Sequence, residues 1–329
     1  METSLDLSRW QEKPHGVAYR RWVILSTGLR QLLKTRIFRL LLILAWTTGL
    51  LMATTGFLFS QSVASGGWLE TFAANFGVRA QAAATALGAL VLLFPDVCIG
   101  GLFTLIFWLQ SYVGLSLSLI GLTLIVPRLV TRDRANNALT IYLSRPLTST
   151  DYLLGKLGII VGILVLLWTG PLLAGWVLSM ALSSDSDFLF YSSKPLLHAL
   201  TFNGLSLVVL AAIALGVSAI NRSSRNTIIL WISLTLIAGV IAQNQNAPDW
   251  LKRSSFTRDL AEVRQNIFRL DEAFIQAGSE LPLVNRSFAN SLIRSGQKAR
   301  ATDADGALTS LGIMVVLSSF VFLRKLRPE

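Results

Sequence analysis

Apolar residues run almost unbroken through six stretches of this chain, roughly 40–61, 101–126, 156–182, 198–220, 226–244 and 307–323. A helix needs about 20 apolar residues to cross about 30 Å of hydrocarbon. The pattern therefore predicts an all-α, polytopic membrane protein with six transmembrane helices. The fifth and sixth stretches are short, so tilt or snorkelling side chains should adjust their fit. Residues 81–99 are apolar as well, but Phe94-Pro95-Asp96 breaks them and the next stretch follows at once. They read as a helix lying at the outer surface or dipping into it.

Composition agrees with this pattern. Of the 329 residues 53% are hydrophobic and only 14% charged, against about 25% charged in soluble domains. Polar surface could not cover so much apolar side chain, so lipid must. The start of the chain shows no short apolar region followed by a cleavage site, so no cleaved signal peptide is expected. Charge then gives an orientation. With both termini inside, segments 1–39, 127–156, 221–226 and 324–329 hold 18 Lys/Arg against 6 acids. Short loops rich in Lys/Arg stay in the cytoplasm. A seventh span at 81–99 would put the basic 127–156 segment outside. The net charge of +11 is thus a topology signal. No basic patch with interleaved aromatics accompanies it, which argues against nucleic-acid binding. The expected division is a cytoplasmic N-terminus over 1–39, spans one to five over 40–244, an extracytoplasmic helical loop over 245–306, and a last span with a cytoplasmic tail over 307–329. A bacterial cytoplasmic (inner) membrane is the expected location.

The 245–306 loop carries 9 basic and 8 acidic residues, and loops of this length cross membranes with little regard to charge. Within it Leu260, Val263, Ile267, Leu270 and Phe274 recur at alternating spacings of three and four, the stripe of one amphipathic helix. The stripe must pack on something: on a helix from 286–300 in a small cap, on a second subunit, or on the lipid surface.

Chemistry inside the spans is sparse. No Asp, Glu, Lys or Arg lies in their interior, and such groups usually mark proton relays or ion paths. The histidines, His15 in the N-terminal tail and His198 at the mouth of the fourth span, are far apart in sequence, which argues against a metal centre. Cys98 is the single cysteine, so an internal disulfide is impossible. Residues 153–158, Leu-Leu-Gly-Lys-Leu-Gly, lack the first glycine and the Ser/Thr of a phosphate loop. The two glycosylation-type triplets, at Asn221 and Asn285, read as chance matches. Gly158 and Gly162 form a G-x-x-x-G that would let two helices approach closely. With no catalytic constellation, the chain reads as a membrane passage whose energy must come from a partner.

The segment 127–156, PRLVTRDRANNALTIYLSRPLTSTDYLLGK, is where such a partner could grip. Pro127 ends the second span. Ala135, Leu139 and Tyr142 then share a helix face, with Arg132, Asp133, Asn136 and Asn137 as polar neighbours. Asp133 suits the first turn, where the helix dipole favours an anion. Pro146 stops this helix, and Thr148-Ser149-Thr150-Asp151 matches the capping signal that starts the next. The result is a short amphipathic helix over 132–146, a hard stop and a capped restart that runs into the third span.

These residues resemble the segment after the second span of ABC-2-type transporter permeases, the membrane-spanning subunits of bacterial ABC transporters. Asp133 matches an acidic position of that pattern, Leu139 and Leu143-Ser144-Arg145-Pro146 its core, and Leu154-Gly155-Lys156 its lead-in to the next span. Asn137, Ala138 and Thr140 depart from it, standing where Gly, Thr and Glu are common. Residues 16–39 resemble the family's basic connecting helix on the inner leaflet. The resemblance implies a permease subunit with no enzyme activity and no cofactor of its own, working with a separate ATP-binding subunit that carries ATP and Mg. It implies that 132–146 is a coupling helix, with Asp133, Arg134, Asn136, Asn137, Leu139, Tyr142, Arg145 and Pro146 meeting the ATPase. Arg222, Ser223, Ser224 and Arg225 correspond to a second cytoplasmic contact. A second permease copy or a paralogue, membrane lipids and an extracytoplasmic partner complete the expected associations. The alternative is a structural or signalling membrane protein that works through 245–306 without an ATPase.

Overall fold

The computed structural model describes residues 16–63, 67–131, 133, 149–183, 186–221, 223–244, 246, 248–280, 290–291, 293–294, 297 and 303–326. Among these the regular elements are all helical. An N-terminal helix α1 (Val17–Leu33) turns at Lys34-Thr35 into α2 (Arg36–Val63), and two shorter helices follow, α3 (Trp68–Ala74) and α4 (Val78–Leu93). Next come α5 (Gly101–Val126), α6 (Ser149–Leu164), α7 (Gly170–Leu182), α8 (Ser186–Ile220) and α9 (Ser224–Gln243). A cap of α10 (Asp249–Lys252), α11 (Phe256–Phe268) and α12 (Leu270–Glu280) precedes the last helix, α13 (Ala304–Leu326). Six helical stretches are long and apolar enough to cross a membrane: α2, α5, α6 with α7, α8, α9 and α13. This is the architecture of a multi-pass membrane protein. Residues 81–99 do not supply a seventh, because α4 ends at Phe94 with a non-helical backbone.

Prolines shape three of these helices. A wide, π-helical turn lies within two residues of each of Pro95, Pro127 and Pro171, over Asp96–Gly100, Pro127–Thr131 and Val165–Thr169. Proline lacks an amide hydrogen and its ring collides with the carbonyl four residues back; at Pro127 and Pro171 the helix nonetheless continues, with a π turn alongside, whereas Pro95 stands at a helix start, where a missing amide hydrogen costs nothing. Pro127 therefore does not end the second span, which runs on to Thr131. Thr47, Thr54 and Thr55 donate their hydroxyls to the carbonyls of Ile43, Leu50 and Leu51 on their own helix, which silences exposed polar groups on an apolar surface.

Pairs of contacts fix the direction of each helix. Gly49 and Gly56 of α2 back onto Pro171 and Ser179 of α7, so these two run the same way. Phe103 meets Phe188 edge-on at 5.3 Å near one end of α5 and α8, while the Val130 amide donates to Ser218 Oγ at 2.9 Å near the other. These two helices are also parallel. The third span is antiparallel to α5, with Trp168 across Gly114 and the Tyr152 hydroxyl donating to Leu129 O at 3.4 Å. So is α9, where Trp231 Nε1 donates to Leu119 O at 3.3 Å and Thr131 lies against Thr227. The up-and-down order expected of successive spans is thus built into side-chain packing.

The cap corrects one expectation. The stripe from Leu260 to Phe274 is not on one helix. Arg269 takes a left-handed conformation, with φ 47° and ψ 45°, and divides it into α11 and α12. Ser255 caps α11, accepting from the Arg258 amide at 3.3 Å while donating to Ala238 O at 2.7 Å. Phe256, Leu260, Val263 and Phe268 are buried, and α11 packs on α13, α8 and α9. The stripe is therefore covered by the chain's own bundle. The cap also lies beside the short fifth and sixth spans. From the Trp231–Leu119 bond, seven residues along each antiparallel helix (about 10 Å) bring Ala238 level with Tyr112. The cap meets α9 at that level, through Ser255 and Ala238 O, so it packs beside the ends of α9 and α13 and against the longer α5 and α8. The fourth span begins at Ser186, and His198 sits inside the helix rather than at its mouth.

Candidate functional site

The end of the bundle opposite the cap gathers exposed basic side chains, among them Arg30, Lys34, Arg128, Arg225, Arg324 and Lys325. Just inside them lies a polar junction. Thr131, freed from regular helix bonding by the π turn, donates its hydroxyl to Ser218 O at 2.8 Å and lies 3.1 Å from Thr227 Oγ1. All three residues are buried. One cluster thereby ties together the exit of α5, the exit of α8 and the start of α9.

Two residues further on, Asp133 reaches across to α6. Lys156 Nζ is 2.7 Å from its Oδ2, and the buried Tyr152 donates its hydroxyl to the same oxygen at 2.7 Å. The side chains of Lys156 and Asp133 are only 11% and 17% exposed. Asp151, one residue before Tyr152, takes a second clamp from α1: Arg21 Nε and Nη2 donate to its Oδ1 at 2.8 and 2.5 Å. Such charge-assisted bonds fix orientation as well as energy. Below this clamp α1 lies directly on α6. A Cβ at Gly155, Gly158 or Gly162 would come within 2.9, 2.7 or 3.0 Å of Ile24, Leu25 or Leu29. The G-x-x-x-G thus serves α1, a partner the spacing alone could not name. A cavity of about 450 Å³ opens between α1, α5 and α6, bordered by Gln31, Arg128, Asp133 and Lys156.

Of the residues expected to meet an ATPase, Asp133 stands in this clasp. Arg134, Asn136, Asn137, Leu139, Tyr142, Arg145 and Pro146 lie outside the described residues, as does Arg222. Ser223, Ser224 and Arg225 are exposed at the start of α9, one turn from the Thr131–Thr227 contact. Asp133 and the Ser223–Arg225 stretch, one from each expected contact segment, therefore lie at one shared junction. Sequence reasoning missed Thr131, Ser218 and Thr227, because lone Ser/Thr residues near span ends carry no pattern. It also missed the pairing of Asp133 with Lys156, although both belong to the quoted motif.

The cap end has polar chemistry of its own. A cavity of about 370 Å³ between α5, α8 and α12 is lined by Asp96, Lys194, His198, Arg269, Glu272 and Gln276 among others. Arg253 binds both Asp259 and Asp303, tying α11 to the start of α13. Burial pushes the Asp259 carboxyl above its usual range, and Arg253 opposes the rise. Arg264, also on α11, is buried, and desolvation lowers its pKa to about 10. Among the described residues no group of three or more His, Cys, Asp or Glu could hold a metal. No family model, no curated protein and no solved structure matches the chain.

Proposed function

We propose that this chain is the membrane-spanning permease subunit of an ATP-driven transporter, with a separate ATP-binding subunit gripping the basic end of the bundle. The observation that carries the reading is the Asp133–Lys156 ion pair at 2.7 Å. In the motif that resembles ABC-2-type permeases, these are the acidic position at the start of the coupling segment and the lysine of the lead-in to the third span. Their pairing clasps the two ends of that segment together. A push on 134–146 then reaches the third span through Tyr152 and Lys156, and the second, fourth and fifth through Thr131, Ser218 and Thr227. A soft connector would dissipate such a push; a clasped one transmits it. On this reading the basic end is cytoplasmic, the membrane is the bacterial inner membrane, and two copies, or this chain and a paralogue, flank the path. The cargo would be lipid-like, amphipathic or a peptide, because the spans carry so few ionisable groups.

The alternative, a signalling protein acting through its 245–306 loop, has less support, since the apolar stripe of α11 is already covered by the bundle. The test is Arg145→Glu. It should abolish co-purification of the ATP-binding subunit and transport while leaving the folded permease in the membrane. Intact binding and transport would show that the contact is misassigned.

A further inference from the structure

The cap buries one charge, on Arg264, that nothing among the described residues neutralises. Arg264 is 3% exposed, and its Nε and Nη1 have no hydrogen-bond partner. Its guanidinium carbon lies 3.3 Å over the ring of Tyr112 and 5.9 Å from that of Phe202. No carboxylate among the described residues pairs with it. The acids nearest in sequence are engaged elsewhere, Asp259 by Arg253 and Glu262 by Arg258. Residues 281–302 contain no Asp or Glu at all. An aromatic face offsets part of the cost of a buried cation, but guanidinium groups in protein interiors are ordinarily met by an anion.

The position of Arg264 says which anion. Tyr112 is nineteen residues from Thr131 along the second span, about 28 Å of helix, close to the thickness of the hydrocarbon layer. With the basic end at one membrane face, Tyr112 stands at the headgroup level of the other. Trp108 meets Tyr112 edge-on at 4.8 Å, and Trp250 is exposed at the start of the cap, as aromatics are at membrane interfaces. From Tyr112 inward, the exposed Val113 and Ile120 continue one apolar face of α5. That face suits a hydrocarbon chain whose head reaches Arg264. A free inorganic anion would have to shed its water among Tyr112, Phe202 and Phe268 with no such support.

We infer that Arg264, backed by Tyr112, is the anion-binding residue of a site for a phosphate-bearing amphiphile in the leaflet at the cap end. The guanidinium offers a planar set of donors that matches two phosphate oxygens. This site does not depend on the ATPase reading, so either can fail without the other.

The test is thermal unfolding of the purified protein in dodecyl maltoside after delipidation, for the wild type and Arg264→Met. Each is measured alone, with dioleoylphosphatidylglycerol, and with inorganic phosphate. The wild type should shift upward by several degrees with the lipid and not with inorganic phosphate, and Arg264→Met should not respond. A shift with inorganic phosphate alone, lost in Arg264→Met, would overturn the amphiphile and assign the site to a soluble anion. Equal lipid responses in both proteins would overturn the site. If Arg264→Met does not fold, native mass spectrometry compares retained phospholipid on the wild type and Arg264→Lys. Lysine is a point charge without the planar fork, so fewer lipids should remain; equal retention contradicts the proposal.

Discussion

Lys156 and Asp133 illustrate what a single side chain does at the basic end. Each is mostly withdrawn from solvent, and Tyr152 bonds the same carboxylate oxygen. Removing one partner leaves a poorly solvated charge, so Lys156→Met should destabilise by about 1–3 kcal/mol. The pair Asp133→Asn with Lys156→Met should cost less than the sum of the single changes, because the second removes a group the first has already orphaned. Unfolding temperatures of the four proteins in one detergent measure this coupling, and strict additivity would mean that the clasp contributes nothing. At this scale the sequence was only partly readable. Asp133 and Lys156 stood out as motif positions, but their contact depends on how the third span leans on the second. Arg264 could not be singled out, because its burial follows from how deeply the cap is seated.

Helices were the most readable level. Six runs of apolar residues became six long helices, with ends extended by charged or polar turns that hydropathy alone discounts, such as Ser149–Leu153 and Ser186–Leu197. What sequence reading lost was the effect of single residues on helix continuity. Pro127 looks like a stop, yet the helix widens and continues. Arg269 looks like one more polar position on a helix, yet there the backbone turns left-handed, so α11 packs on the bundle while α12 follows a different course along α5. Glycine substitutions separate close helix contacts from open faces. A Cβ at Gly49 would lie 2.5 Å from the backbone oxygen of Pro171, whereas Gly239 and Gly312 have nothing within 4 Å. Gly49→Ala should therefore destabilise by about 1–3 kcal/mol. Gly239→Ala and Gly312→Ala should be neutral or stabilising by up to about 1 kcal/mol. The midpoint of thermal unfolding decides between these expectations, and a tolerated Gly49→Ala would contradict the α2–α7 packing.

At the scale of the whole molecule, a bundle of six long helices carries two chemically different ends. Basic residues and a clasped polar junction mark one; a cap with buried charge fills the other, beside the short fifth and sixth helices. The up-and-down order and the segregation of charge were legible from the pattern of apolar runs and Lys/Arg positions. The seating of the cap was not, since a stripe of apolar residues records that something is covered and not by what. The proposed coupling to an ATPase belongs to this scale, because it needs the junction, the clasp and the 134–146 segment to act together. Its most direct test is purification of the tagged protein from its own cells in mild detergent, with the bound chains identified by mass. The account predicts a near-equimolar chain carrying a phosphate loop. Recovery of the protein without any such chain, in a detergent that keeps other membrane complexes whole, would contradict it.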